Sequence, residues 1–140
     1  MKLSTKSRYG TRLMLDMAQH YKEGPIHLAQ VATRQGISVK YLEQIIIPLK
    51  KADYIRSVRG PKGGHTLAIA PEEITVGEIV ALLEEGTSLV ECSHNDKVCE
   101  RSQTCLTRWL WNEAGRALFN KLYSITLADV MNGAESRSAE

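Results

Sequence analysis

Three cysteines, all of those in the chain, lie in one short polar stretch. Cys92, Cys99 and Cys105 are separated by six and then by five residues. The stretch has few apolar side chains with which to form a core, so a coordinated metal would give it the order that packing cannot. An odd number of cysteines cannot pair completely as disulfides. The spacing favours a metal or cluster site, and a reactive thiol switch or incidental cysteines are the alternatives.

The composition of the chain is typical of a soluble folded protein. Its 140 residues suit one domain, or a small domain with an oligomerisation arm. The N-terminus has no apolar run after its charges, and no stretch approaches the roughly 18 apolar residues of a membrane span. We therefore expect a cytoplasmic protein, in which clustered cysteines more often bind metal or sense redox state. Catalytic patterns of paired carboxylates, nucleophile and base, or a nucleotide loop are not found, so we expect no enzyme.

Charge is distributed unevenly between the two halves of the chain. Residues 1–70 contain twelve Lys and Arg against four Asp and Glu, a net charge of +8. Residues 71–140 contain six against twelve, a net charge of −6. A basic N-terminal half joined to an acidic half indicates that the first half meets a polyanion, and a merely solvated basic face is the alternative.

Hydrophobic periodicity predicts three helices in the first 50 residues. The first covers residues 3–22 and is stopped by Gly24 and Pro25. The second covers residues 27–35 and ends at Gly36, and the third begins after Ser38, which is placed as an N-cap. Two short helices joined by residues 35–38 have the outline of a helix-turn-helix, although a generic pair of packed helices would look similar.

The next segment has the composition of a β-hairpin. Residues 54–58 and 65–69 can form strands on either side of a loop with three glycines and Pro61. Arg59 and Lys62 in this loop are cations that can contact phosphates or a narrow minor groove. A helix-turn-helix followed by a basic hairpin predicts a winged helix, a mainly α fold with one small hairpin.

The C-terminal half is predicted to contain a capped helix, the cysteine loop and a long helix. Thr75 and Glu78 form a capping box, and Thr126 and Asp129 can cap a last short helix. The long helix has a broad apolar stripe, which favours a subunit interface. The alternative is that the stripe packs back on the first helix. The stripe contains Leu106, Trp109, Leu110, Ala114, Ala117, Leu118, Leu122 and Ile125. We thus expect a DNA-binding domain over residues 1–84, a cysteine loop and dimerisation helix over 85–132, and a disordered tail over 133–140.

Several short motifs together resemble those of one family of bacterial regulators. They are residues 3–9, Ile37-Ser38 with residues 41–44, residues 57–61 with Gly63-Gly64, and the three cysteines followed by Leu106-Thr107. In combination, over about residues 1–132, they resemble the IscR/NsrR type of winged-helix regulator (the Rrf-two family).

The resemblance implies a homodimeric transcription regulator, which we expect to be a repressor of iron–sulfur cluster biogenesis genes. Cys92, Cys99 and Cys105 would hold an iron–sulfur cluster, 2Fe–2S in preference to 4Fe–4S. A two-fold dimer would bind double-stranded DNA at a near-palindromic operator. The alternative is a winged-helix regulator whose cysteine loop is a zinc site or a thiol redox or nitric-oxide switch.

The resemblance also implies which side chains meet DNA. The residues that would face the major groove are Ser38, Lys40, Tyr41, Glu43 and Gln44, and Arg59 would enter the minor groove from the wing. Lys62 is a further candidate DNA contact because it is the second cation of the wing loop. Glu43 would be repelled by phosphates, so its useful role would be to accept a hydrogen bond from a cytosine amino group.

The fourth cluster ligand departs from the family pattern. The cluster-biogenesis regulator has a histidine three residues after its third cysteine, where this chain has Arg108. Relatives that sense nitric oxide can use a carboxylate near the start of the first helix, where this chain has Arg8. Within the loop, His94 is the best remaining donor. Asp96, Glu100, solvent and the partner subunit are the other candidates.

Overall fold

The first three helices form the predicted helix-turn-helix. The computed structural model describes residues 2–138, and the side chains of residues 2–133. Helix α1 spans Thr5–Gln19, α2 spans Leu28–Gln35 and α3 spans Val39–Lys51. The bounds of α1 are shorter than the predicted range because Ser4 caps its first turn, where it accepts a hydrogen bond from the Ser7 N–H.

Gly36 and Ser38 form the turn between α2 and α3. Gly36 has a φ of 65°, a left-handed conformation that glycine adopts without steric cost, and its N–H donates to the carbonyl of Ala32. The Ser38 hydroxyl accepts a hydrogen bond of 3.1 Å from the Tyr41 N–H. Both local signals are confirmed, since α2 ends and α3 begins where these residues predict.

The hairpin that follows completes the winged helix. Strands β1 (Ile55–Val58) and β2 (Gly64–Leu67) pair antiparallel, with Ile55 opposite Leu67. Ile26, just before α2, forms a bridge to His65 through two backbone hydrogen bonds of 2.9 and 2.8 Å. This bridge attaches the hairpin to the helix-turn-helix, so the wing has a fixed position relative to α3.

The second half of the chain contains three helices. Helix α4 spans Val76–Leu83, α5 spans Leu106–Tyr123 and α6 spans Leu127–Ser138. Both predicted capping pairs are present. The Thr75 hydroxyl accepts from the Glu78 N–H at 3.1 Å while Glu78 accepts from the Thr75 N–H at 2.7 Å. Thr126 and Asp129 make the equivalent pair at the start of α6, at 3.0 and 2.9 Å.

Helix α6 returns to the N-terminal domain. It packs on α1, and Leu127 is fully buried with the winged-helix core. The core therefore includes residues from the segment 85–132 that the sequence assigned to a separate region. Helix α6 also continues to Ser138, whereas a disordered tail was expected from Gly133. Residues after Gly133 such as Ala134 and Glu135 have high helix propensity, which offsets the roughly 1 kcal/mol cost of one glycine. Residues 139–140 lie outside the described part.

A single hydrophobic core lies between α1, α3, α4 and α6. Its most completely buried apolar side chains are Leu13, Met14, Val31, Leu42, Ile45, Leu49, Ile74, Ile79 and Leu127. On α3 these residues recur at helical spacing, so the opposite face of the helix is left to solvent. No helix in residues 2–138 is both long and apolar enough to cross a membrane.

A buried ion pair joins α1 to α2. Asp16 is 1% exposed, and its carboxylate accepts two hydrogen bonds from the Arg34 guanidinium, at 2.6 and 2.9 Å, and one from Gln35 at 3.0 Å. Burial by itself raises the pKa of Asp16, but the hydrogen bonds from Arg34 and Gln35 outweigh it and hold that pKa below 3.8. The charged carboxylate therefore stabilises the junction.

We predict that Asp16→Asn lowers the free energy of unfolding by about 1–3 kcal/mol at pH 7, because it leaves Arg34 facing a neutral amide. Since the folded pKa is depressed, the stabilisation is present above the ordinary carboxyl pKa and is lost as the pH falls through the lower, folded value. Urea unfolding at several pH values between about 2 and 7 measures both effects.

Asp53→Asn is the matched control. Asp53 is exposed with a φ of 62°, which asparagine tolerates well. Equal stability losses for the two variants would contradict the assignment of the ion pair.

Candidate nucleic-acid interface and metal centre

The first turns of α3 present polar side chains to solvent. Ser38, Lys40, Glu43 and Gln44 are exposed, and Tyr41 is half-buried. They lie opposite the buried Leu42, Ile45, Ile46 and Leu49. The N-terminus of a helix has a partial positive charge that suits phosphate contacts. The arrangement is that of a recognition helix whose apolar face anchors it while its polar face reads a groove.

The wing presents two further cations. Arg59 and Lys62 are exposed in the loop between β1 and β2, and neither has an ion-pair or hydrogen-bond partner among residues 2–133. The loop itself is closed by a hydrogen bond of 2.9 Å from the Gly63 N–H to the Gly60 carbonyl. Both side chains can therefore contact a polyanion, and this hydrogen bond holds the backbone that carries them.

Helix α1 adds a cationic cluster that the sequence did not reveal. The Tyr9 ring contacts the Tyr41 ring edge-on, with centroids 5.8 Å apart. The guanidinium carbons of Arg12 and Arg8 lie 5.4 and 5.9 Å from the centroid of Tyr9. Arg12 also donates to the backbone carbonyl of Gln35. The four-residue spacing of Arg8 and Arg12 places them on one face of α1, but only the fold brings that face beside the recognition helix.

The cysteine loop connects α4 to α5. Cys92 and Cys105 are half-buried, Cys99 is exposed, and all three are free thiols. Among the described residues, no three His, Cys, Asp or Glu side chains come close enough together to hold a metal ion. The structure therefore places the three predicted ligands in one loop without bringing them together.

Arg108, at the first turn of α5, organises the middle of the loop. Its guanidinium donates to the Asp96 carboxylate at 2.5 Å and to the Ser102 carbonyl at 2.8 Å. The Ser102 hydroxyl in turn donates to the Asp96 carbonyl at 2.9 Å. Arg108 thus holds the middle of the loop in place. It also occupies one carboxylate oxygen of Asp96, which weakens Asp96 as a fourth ligand.

Cys105 has the chemistry of a metal-binding thiol. It stands at the N-terminus of α5, with its sulfur 3.1 Å from the Thr107 hydroxyl. The hydrogen bond with Thr107, followed by that with the Arg108 N–H, lowers the pKa of the Cys105 thiol. A thiolate is the form that binds metal, so this environment and the soft sulfur donors fit an iron–sulfur group.

His94 faces a groove beside the loop. The groove has a volume of about 820 Å³ and lies between the N-terminus of α1, the end of α4 and α5. Lys2, Glu84 and Phe119 are among its other lining residues. Glu100 is exposed elsewhere in the loop. The His94 side chain can therefore be reached by a group that enters the groove.

A winged helix with a polar recognition helix and a cationic wing defines a DNA-binding protein. The Rrf2 family model, described as an iron-dependent transcriptional regulator, matches residues 3–133. The chain belongs to the Rrf2 family. It is a DNA-binding transcriptional regulator and not an enzyme.

Individual relatives agree with this assignment. The chain is 51% identical to protein rrf2 of Nitratidesulfovibrio vulgaris over 134 residues, covering 96% of this chain and 89% of the relative. It is similar in structure to T. potens IscR, at 40% identity with a TM-score of 0.81, covering 98% and 90% of the two chains. It is also similar to CymR, the global cysteine regulator of B. subtilis, at 36% identity with a TM-score of 0.75, covering 93% and 95%.

We predict that Arg59→Ala weakens binding to the preferred DNA site by about 1–3 kcal/mol if the guanidinium reaches a base edge or a narrow minor groove. A phosphate contact would instead weaken preferred and random DNA alike and lower the salt slope by about one. Titrations at several salt concentrations, on a site selected from a randomised library and on random DNA, measure the difference.

Arg116→Ala is the control, because Arg116 is exposed on α5 and is paired with Glu113. Unchanged binding of both DNAs by the Arg59 variant would remove the wing from the interface.

Proposed function

We propose that this chain is a homodimeric repressor that senses iron–sulfur cluster status and controls iron–sulfur cluster biogenesis genes. The observation that carries the proposal is the position of Cys92, Cys99 and Cys105. All three thiols lie in the one loop that joins the winged helix to α5. The structural likeness to T. potens IscR supports it.

The proposed DNA contacts are the exposed residues of the recognition helix and the wing. Ser38, Lys40, Tyr41, Glu43 and Gln44 would enter the major groove and Arg59 and Lys62 the adjacent groove and backbone. Glu43 is exposed and has no ion-pair partner among residues 2–133, so its carboxylate is free to accept from a cytosine amino group.

Cys92, Cys99 and Cys105 would hold a 2Fe–2S cluster, which supplies a redox-sensitive centre when bound. Since the described loop does not bring three candidate ligands together, holding the group requires the loop to change conformation. Arg108 would limit that change to the parts of the loop outside its contacts with Asp96 and Ser102. His94, which directly follows Ser93 in the loop and lines the groove, is the proposed fourth ligand.

Anaerobic purification tests the cluster. We predict a coloured protein with iron and acid-labile sulfide in equal amounts and without stoichiometric zinc. Each Cys→Ser change should abolish the cluster, and His94→Ala should shift the visible spectrum and speed cluster loss. Lys97→Ala changes the same loop without removing a cysteine, histidine or carboxylate, and it should leave both properties unchanged.

A His94→Ala protein with the wild-type spectrum and cluster lifetime would move the search to Glu100 or the partner subunit. A colourless wild-type protein that still binds DNA and regulates transcription would support the second candidate function. In that function the loop is a zinc site or thiol switch. The separated free thiols and the likeness to the CymR cysteine regulator favour this candidate.

The apolar stripe of α5 supports the homodimer. Its first half points to solvent, with Leu106 88% and Trp109 68% exposed, followed by Leu110. In its second half Leu118, Leu122 and Ile125 are half-buried, while Phe119, which is buried, lies outside the predicted stripe. Helix α5 packs mainly on α4, and the exposed first half of the stripe supports a subunit interface.

We predict that Trp109→Glu weakens dimerisation by about 2 kcal/mol or more, because it places a charge at the centre of the apolar face. Analytical ultracentrifugation should show monomers where the wild type is dimeric. Footprinting should show loss of a near-palindromic site with half-sites about 10 bp or a multiple apart. Lys121→Ala, on the same helix, should leave the dimer intact. A monomeric wild type that protects one unrepeated half-site would contradict the proposal.

A further inference from the structure

Glu84 connects the end of α4 to the beginning of α1. One oxygen of its carboxylate, Oε1, accepts three hydrogen bonds. They come from the Ser4 N–H at 2.9 Å, the Ser4 hydroxyl at 2.7 Å and the Ser7 hydroxyl at 2.5 Å. Ser7 is completely buried. The hydrogen bond from Ser7 lowers the pKa of Glu84, so the carboxylate is charged at neutral pH.

On one side, this contact fixes the helix that supports the recognition helix. Ser4 is the N-cap of α1, where a negative charge is favourable because of the helix dipole. A little more than one turn beyond Ser4, Tyr9 contacts Tyr41 of α3 edge-on. A Cβ atom on Gly10 would lie 2.2 Å from the Leu83 side chain, so α1 and α4 pack closely here and a larger residue would require Leu83 to shift.

On the other side, Glu84 is the last residue before the chain turns away towards the cysteines. Glu85 has a φ of 61° and Gly86 a φ of 153°, and the Gly86 N–H donates to the Ala81 carbonyl at 2.9 Å. Glu84 also lines the groove that His94 faces. Glu84 therefore lies where the chain that leads to the cysteine loop meets the N-terminus of α1.

We infer that Glu84 is a positioning residue that couples the conformation of the cysteine loop to the DNA-binding helix through Ser4, Ser7 and the Tyr9–Tyr41 contact. The inference rests on the proposed function, since it needs a loop with two states. Coupling of this kind is reciprocal: if the state of the loop alters DNA affinity, DNA alters the affinity of the loop for its metal group by the same factor.

A purely structural role for Glu84 is the competing explanation. A helix-capping carboxylate would affect stability and would lower the DNA affinity of both loop states equally. A coupling residue changes the ratio of the two affinities. The ratio is therefore the quantity to measure, and it is independent of how much protein is correctly folded.

The test compares Glu84→Gln with Glu85→Gln in the full-length dimer. Glutamine keeps the shape of the side chain and one acceptor oxygen but removes the charge. The neighbouring Glu85 is exposed and makes no side-chain hydrogen bond among residues 2–133, which makes it a matched control. DNA affinity is measured anaerobically for the cluster-loaded and cluster-free forms of each protein, on a site selected from a randomised library.

The ratio of the two affinities should move towards one by about 5-fold or more in the Glu84 variant and stay at the wild-type value in the Glu85 variant. Hydrogen exchange provides a second readout. Cluster loading should protect residues 4–9 as well as residues 85–105 in the wild type, and only residues 85–105 in Glu84→Gln. Ser7→Ala, which removes the shortest of the three hydrogen bonds, should reproduce both results if Glu84→Gln folds poorly.

Wild-type ratios and wild-type exchange patterns in the Glu84 and Ser7 variants would overturn the inference. A wild type that binds no cluster would contradict the proposed function instead. The two loop states are then prepared by alkylating or sparing the three thiols, and the same ratio decides whether Glu84 couples the loop to DNA.

Discussion

The structure depends on α1 being packed on several sides at once. Helices α2, α3, α4 and α6 and strand β2 all contact it, and Leu13, Met14, Met17 and Ala18 are its buried apolar side chains. A helix surrounded in this way has few positions at which it can be polar. Two of them carry specific contacts, the Asp16 ion pair to α2 and the Ser7 hydroxyl to Glu84. These fix the rotation and the ends of α1, which apolar packing alone leaves less well defined.

Charge is organised in the same way. The net charge of +8 on the first half of the chain appears as exposed cations on α1, α3 and the wing. Two carboxylates of the acidic half make contacts within the fold: Glu84 binds the N-terminus of α1, and Asp96 binds Arg108. These two carboxylates act at hydrogen-bonding distance, where screening by salt has little effect.

Local signals predicted most of the fold. Ser38, Gly36 and the Thr75–Glu78 pair set helix boundaries through contacts within four residues, and these can be read from the sequence. Contacts between distant residues could not be read in this way. Asp16 and Arg34 are 18 residues apart, Glu84 and Ser4 are 80 apart, and the return of α6 depends on Leu127 packing into a core formed by residues 13–83.

The candidate site shows the same division. The recognition helix and wing were found because their spacing is local, whereas Arg12 beside Tyr9 and Tyr41 needed the packing of α1 on α3. The apolar stripe predicted for α5 is covered only in part: Leu106 is exposed, whereas the buried Phe119 was not among the predicted residues. Periodicity predicts which face of a helix is apolar, but packing against α4 decides which residues of that face are covered.

The two ends of the cysteine-containing region are joined to each other. Thr75 and Thr126 form a β-bridge, the Val76 N–H donates to the Ile125 carbonyl at 2.8 Å, and the Leu127 N–H donates to the Ile74 carbonyl at 2.9 Å. After α4 the chain thus makes an excursion through the cysteine loop and α5, and it re-enters the winged-helix core at Leu127. The entropy of closing such an excursion grows only logarithmically, by about 0.6 kcal/mol for each doubling of its length. Residues can therefore be added to or removed from its exposed loop at little thermodynamic cost, while the winged helix keeps its structure.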